Sequence, residues 1–487
     1  VTFRTGTAAP LVPLALLALL VTAVLTPAAL AAPERTPEPE TAHDRPGALA
    51  RALVERTGAA GAWRHLEAFQ RIADANDGNR AAGTPGHERS ARYAGTLLAR
   101  AGYRVTYQRF TFPYREPVTE RLTRLDGEPR DVPVRAFSHT GNTQDGGLTA
   151  RLADAGDGCE AARFGPDAPG LIALVERGGC TFAAKEANAR AAGAAAVLIR
   201  NNAPGTLSGT LGGPDPDTLP TGGITREDGA ELASALASGH EVRLRLELTE
   251  LSEERTTVNV IAETPGGDDS RVVLAGAHLD SVPEGPGIND NGSGSAAVLE
   301  TALRLAEAGG PAGRHPHTVR FALWSAEELG LLGAKHYVKG LSPDERGDIA
   351  LYLNFDMVGS PNHGHYVQAD APGVAEELTA FLRARGEEAE RLPFDGRSDY
   401  APFVAVGIPA AGTFTGAEAV KSPAQARLWG GTPGAPHDPC YHAACDRLDN
   451  MGRAAFDTHV KVVAHAVGTY AWRAPSAASA PDAPAGS

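Results

Sequence analysis

Ala275-Gly276-Ala277-His278-Leu279-Asp280 follows the apolar run Val272-Val273-Leu274, and the two together read as a buried strand that ends on a histidine. Two other β-rich apolar runs end in acids. Val319–Trp324 leads to Glu327 and Glu328, and Ile349–Phe355 leads to Asp356. In an open α/β sheet, ligands collect outside the carboxyl ends of the strands, so parallel neighbours would carry these residues to one rim. Asp290 lies on the Gly-rich stretch Gly287-Ile288-Asn289-Asp290-Asn291-Gly292-Ser293-Gly294 after the first of these strands. The residues that follow, Ser295 to Ala306, have the apolar spacing of an amphipathic helix. His442 lies between Cys440 and Cys445.

Two histidines and several carboxylates form a donor set suited to zinc, and a carboxylate on a loop such as that of Asp290 can bridge two ions. Each residue alone has a plainer reading. His278 fits a buried strand-end histidine. Asp290 fits an ordinary Asn-Asp-Asn-Gly turn. Glu327 and Glu328 fit the acidic first turn of a helix. It is the ordered set that favours a site.

Six ordered motifs carry a family resemblance: HLD (278–280), NDNGSG (289–294), SAEELGLLG (325–333), NFDMVG (354–359), GRSDYAPF (396–403) and CYHAAC (440–445). From about residue 60 to 473, with one interruption, the chain resembles the secreted bacterial co-catalytic zinc aminopeptidases. That family also includes glutamate-carboxypeptidase-like and glutaminyl-cyclase-like enzymes. The resemblance implies a mixed, largely parallel central sheet with helices on both faces. It implies two zinc ions per chain: His278 and Asp356 on one, Glu328 and His442 on the other, and Asp290 bridging them. Glu327 would be the general base, and Asp280 would hold His278 from behind. Tyr441 and Arg397 would serve the tetrahedral intermediate and the substrate backbone. Met357 and Phe414 would line an apolar side-chain pocket, although a plain core role fits them equally. The implied substrate is a peptide with a free N-terminus and a large apolar first residue. A carboxypeptidase, a glutaminyl cyclase and a non-catalytic receptor-like protein are the alternatives. The last of these loses metal ligands in relatives, whereas this chain keeps all five and the base. Asp457 matches a calcium-binding acid of some relatives, but Lys461 stands where a second acid would be expected, so calcium is not expected.

Residues 143–250 interrupt the resemblance. Leu171 to Phe182, with Lys185, Asn188 and the Ala/Gly run to Ile199, resemble a protease-associated domain, a smaller α/β unit whose role is either substrate contact or spacing. The catalytic part is then 61–142 and 251–473.

The chain has 487 residues, enough for two or three domains, and a net charge of −14 without a basic cluster. That argues against nucleic acid or an anionic membrane as partner, and a monomer is expected. Arg4, the apolar run Leu11–Leu25 and the small-x-small site Ala29-Leu30-Ala31 read as a signal peptide cleaved before Ala32, with Val1 as a translated alternative start. The mature protein would be extracellular and free of the membrane. Four cysteines in an exported chain suggest the disulfides Cys440–Cys445 and Cys159–Cys180. Residues 32–60 are rich in Pro, Glu and Ala, then weakly helical, and are read as a linker or propeptide; 474–487 are read as a disordered tail. His336, His363, His365, His437, His459 and His465 are left as surface or core residues, His437 being the nearest rival to His442.

Overall fold

Val272–Ala277 has no polar position, and a strand without a polar face is satisfied only between two layers. The computed structural model, which describes residues 45–473 apart from 167, 214 and 310–314, places it at the centre of a mixed sheet with helices on both faces. The strands in chain order are β1 (Arg104–Arg124), β2 (Arg130–Val132), β3 (Val134–Ala136), β4 (Leu148–Asp154), β5 (Ile172–Glu176), β6 (Ala196–Arg200), β7 (Thr221–Ile224), β8 (Arg243–Glu263), β9 (Asp268–His278), β10 (His317–Trp324), β11 (Ile349–Phe355), β12 (Tyr366–Ala369), β13 (Glu390–Leu392) and β14 (Ala410–Phe414). β9 pairs in parallel with β10 and β11, and β14 extends the parallel core beyond β11. β12 is antiparallel to β14, and β8 is antiparallel to β10. The sheet is therefore α/β, mixed and largely parallel at its centre, as expected.

Alternation along the strands divides the core in two. Val273, Ala275, Ala277, Phe321, Leu323, Leu351 and Leu353 face one way, with residues of the helices Ala59–Asp74, Pro85–Arg100, Gly294–Gly309 and Arg453–Tyr470 in the same cluster. Val272, Leu274, Ala322, Trp324 and Tyr352 face the other way, with residues of Leu332–Gly340 and Tyr400–Val404. Part of the stretch read as a linker is helical. Arg45–Arg56 forms a helix that buries Leu53 completely, and its Ala50 backbone lies so close to Gly468 that a β-carbon there would come within 2.6 Å.

β1 and β8 form a long antiparallel ribbon, from Arg104 opposite Glu263 to Arg124 opposite Leu244. Because β8 opposes β10, its residues before Val258 run on past the carboxyl end of β10. Beyond the exposed middle of the ribbon stand β4 to β7, parallel to one another in sequence, with β3 antiparallel to β7. This unit has its own apolar clusters, one around Ile172, Leu174 and Leu198 and one around Phe137, Val175 and Ile199. Cys159–Cys180 and Cys440–Cys445 are both disulfides. The proposed signal peptide and tail lie outside the described residues. Among the described residues no helix is long and apolar enough to cross a membrane.

A buried histidine pair ties β14 to the C-terminal helix. The Thr413 hydroxyl lies 2.9 Å from His459 Nδ1, His459 Nε2 lies 2.9 Å from His365 Nδ1, and His365 Nε2 lies 3.2 Å from the Glu387 carboxylate. Burial pushes His365 down to about 4, aided by the nearby Lys421 ammonium, and pushes His459 well below its usual value, with His365 and His363 adding to this. His363 is likewise pushed down to about 4, by burial first and then by His365 and Lys421. The folded chain keeps these rings neutral, while the unfolded chain takes up protons below about pH 6.5. Stability is thus complete above about pH 6.5 and falls as pH drops toward 4, by on the order of 3 kcal/mol for His365 alone. The thermal midpoint should decline over that window more steeply in the native chain than in His365→Gln. Calorimetry across pH checks this, and parallel curves would contradict it.

Candidate metal centre

Five elements deliver the predicted residues to one rim. His278 is the last residue of β9, Glu327 and Glu328 follow β10, and Asp356 follows β11. Asp290 sits on the turn before the helix Gly294–Gly309, and its peptide bond to Asn291 is cis. His442 sits in the disulfide loop. Asp290 is shared between the two imidazoles, with Oδ1 3.1 Å from His278 Nε2 and Oδ2 3.2 Å from His442 Nε2. Asp356 Oδ1 lies 3.3 Å from the same His278 nitrogen, and Glu328 Oε2 lies 2.9 Å from the same His442 nitrogen. Glu327 stands slightly farther back, 3.8 Å from His278 Nε2.

These spacings suit zinc. Ligand atoms about 2.0–2.1 Å from a tetrahedral ion are separated by roughly 3.3 Å. Moreover, the ligand atoms of His278, Asp290 and Glu328, and those of His278, Glu327 and Asp356, come within 4.8 Å of one another. The buried carboxylates also need positive charge. Glu328 Oε1, Asp356 Oδ1, Asp280 Oδ2 and both oxygens of Asp399 are buried without a hydrogen bond. Uncompensated buried carboxylates are costly. Burial pushes Glu327 well above the carboxylate range, with Asp399, Asp356 and Glu328 adding to this against the pull of His278. Burial and then Asp290 push Glu328 up to about 7. Burial alone would push His442 down, but its contacts with Asp290 and Glu328 overcome this and push it up to about 10.

Several supporting residues have no signal in the strand-end pattern. Ser398 Oγ donates to Asp356 Oδ2 at 2.6 Å, which leaves Oδ1 turned toward His278. Asp446 accepts the backbone N–H groups of Asn289 at 2.8 Å and Asp290 at 2.9 Å, so it joins the His442 loop to the Asp290 turn. Asn291 Oδ1 accepts from Gly294 N and Met357 N, and its amide donates to the Phe355 carbonyl. The guanidinium of Arg80, completely buried, donates to the carbonyls of Leu279, Pro286 and Gly287, which clamps the segment between His278 and Asp290. Asn259 and Thr257 of β8 bond the backbone and hydroxyl of Ser325, just ahead of Glu327. Ala326, Met357 and His442 take positive φ values of 49–55°, at a cost of about 1–2 kcal/mol each. Asp280 touches His278 mainly through its main chain: its carbonyl is 3.3 Å from Nδ1 and its carboxylate 3.7 Å, while that carboxylate accepts the Glu327 N–H at 3.3 Å.

The carboxylates open onto a cleft of about 210 Å³. Its lining includes the apolar Met357, Leu392 and Phe414 and the polar Arg397, Glu418 and Tyr441. His363, His365, His437, His459 and His465 play no part in the cleft. His437 bonds Tyr366 and the Asn362 carbonyl instead.

Residues 259–467 match the model of peptidase family M28, and residues 146–232 match that of the PA domain. The chain is 40% identical over 446 residues to a probable lipoprotein aminopeptidase, LpqL, of Mycobacterium tuberculosis, covering 86% of each chain. It is 38% identical over 424 residues to leucine aminopeptidase 2 of Trichophyton rubrum, covering 83% of each. The structure of BSAP, a zinc aminopeptidase from Bacillus subtilis, superposes with a TM-score of 0.62 at 31% identity, covering 84% of this chain and 94% of that one. With its sheet, its rim of strand-end acids and its inserted unit all in place, the chain belongs to peptidase family M28, as an aminopeptidase carrying a PA domain.

Proposed function

We propose that the chain is a secreted aminopeptidase acting with two zinc ions, His278 and Asp356 on one, Glu328 and His442 on the other, and Asp290 on both. The observation that carries this reading is the division of the Asp290 carboxylate between His278 and His442. Zinc bound among these side chains would supply a water acidic enough to attack a peptide carbonyl near neutral pH. Glu327, set back from the ligand atoms and buried, takes the proton of the attacking water and passes it to the leaving amine. Tyr441, on the cleft wall beside His442, donates its phenol proton to the oxyanion that forms at the carbonyl. Arg397, next to it, steadies the peptide backbone. Met357, Phe414 and Leu392 receive an apolar first side chain, in keeping with the leucine aminopeptidase among the relatives. The leader-like residues 1–31 and the two disulfides support export. The catalytic domain is read as 61–142 with 251–473, and 143–250 as the insertion.

Reaction type is tested with leucyl-p-nitroanilide. It should be cleaved, its N-acetyl analogue should not, and a chelator should stop turnover. Equal cleavage of the acetylated substrate would rule out action at a free N-terminus.

The two adjacent glutamates should separate chemistry from metal binding. Glu327→Gln should keep two zinc ions per chain and lose about 10²–10⁴ in turnover, the usual worth of a general base. Glu328→Gln should weaken one metal site. Zinc stoichiometry and turnover on both variants decide the roles, and metal loss from Glu327→Gln with retention in Glu328→Gln would reverse them.

A further inference from the structure

Arg397 lies on the loop between β13 and the helix Tyr400–Val404, and Glu418 lies on the loop after β14. Both line the cleft. Glu418 Oε1 is 2.8 Å from Arg397 Nη1, and Oε2 is 3.3 Å from Nη2, a two-pronged pair. Among the described residues it is the one carboxylate paired with this guanidinium. Both side chains are 54% exposed. An ion pair so open to water adds little to folding. What it restricts is direction. Arginine has many rotamers, and a planar carboxylate that takes two N–H groups at once selects among them.

That direction matters because the same guanidinium reaches Tyr441. Arg397 Nη2 lies 3.1 Å from the Tyr441 hydroxyl. A guanidinium can only donate, so the Tyr441 oxygen accepts, and its own proton stays free for an acceptor in the cleft. Tyr441 in turn stacks on His442, with ring centroids 3.8 Å apart. Asp395, the other acid on this loop, accepts the Arg397 backbone N–H and the Tyr400 hydroxyl, so it fixes the loop and leaves the guanidinium to Glu418.

The geometry points to Glu418 as a positioning residue, which holds the Arg397 guanidinium against the Tyr441 oxygen so that the phenol proton faces the reacting carbonyl. This rests on the roles proposed above for Arg397 and Tyr441. Glu418 acts through Arg397, to which its side-chain hydrogen bonds go among the described residues.

A double-mutant cycle on the zinc-loaded full chain tests it, with kcat and KM for leucyl-p-nitroanilide, zinc content and thermal midpoint measured for Glu418→Ala, Arg397→Ala and the pair. Glu418→Ala should lower kcat about tenfold, within the range of coupled neighbours. KM, zinc content and thermal midpoint should stay near those of the native chain. In the Arg397→Ala background the same substitution should add no further loss. An equal loss in both backgrounds, or none in either, would overturn the inference while leaving the role of Arg397 intact. Full activity in Arg397→Ala would overturn both, and the two failures are told apart by that single variant.

Discussion

One carboxylate, that of Asp290, faces two imidazoles at once, and most of the surrounding polar structure fixes its position. Its two oxygens lie 3.1 and 3.2 Å from ring nitrogens that belong to distant parts of the chain, His278 at the end of β9 and His442 in the disulfide loop. The turn is fixed from behind by Asp446, which takes the backbone N–H groups of Asn289 and Asp290, and by Asn291, which ties it to the end of β11. Arg80 stitches together two stretches that lead into it, Leu279 and Pro286–Gly287, through their carbonyls.

The arrangement is costly, which is why it reads as functional. Several carboxylates are buried together, some with oxygens that no donor reaches. Three non-glycine residues beside them adopt left-handed backbone. Such costs persist where a site demands particular directions for its side chains. Cations held between the ligand oxygens would offset the charge and would reverse the upward push on Glu327 and Glu328. The same rim receives support from the inserted unit's stem: β8, as it returns to the central sheet, grips Ser325 through Thr257 and Asn259. The ribbon therefore both carries the insertion and braces the loop of the proposed base.

The strand-end acids and His278 were legible in the sequence because each closes an apolar run, and apolar runs are what a buried parallel sheet requires. Asp290 and His442 were legible through their neighbours, a Gly-rich turn and a cysteine pair. The bonds that Arg80, Asp446 and Ser398 make were not. Their partners are backbone groups or carboxylates remote in sequence, and such bonding leaves no periodicity. Asp446 had one available signal, as an acid immediately after Cys445. The weak helical character read in residues 32–60 is the helix Arg45–Arg56; its packing against Gly468 of the C-terminal helix, remote in sequence, left no local signal. Asp280 was expected to hold His278 from behind, and it lies there, with its carbonyl 3.3 Å and its carboxylate 3.7 Å from Nδ1.

Anomalous diffraction at the zinc edge, from crystals of the zinc-loaded protein, tests the central claim most directly. The account predicts two peaks, one beside His278 and Asp356 and one beside Glu328 and His442, each contacted by a different oxygen of Asp290. A single peak, or two peaks that Asp290 does not bridge, would contradict it.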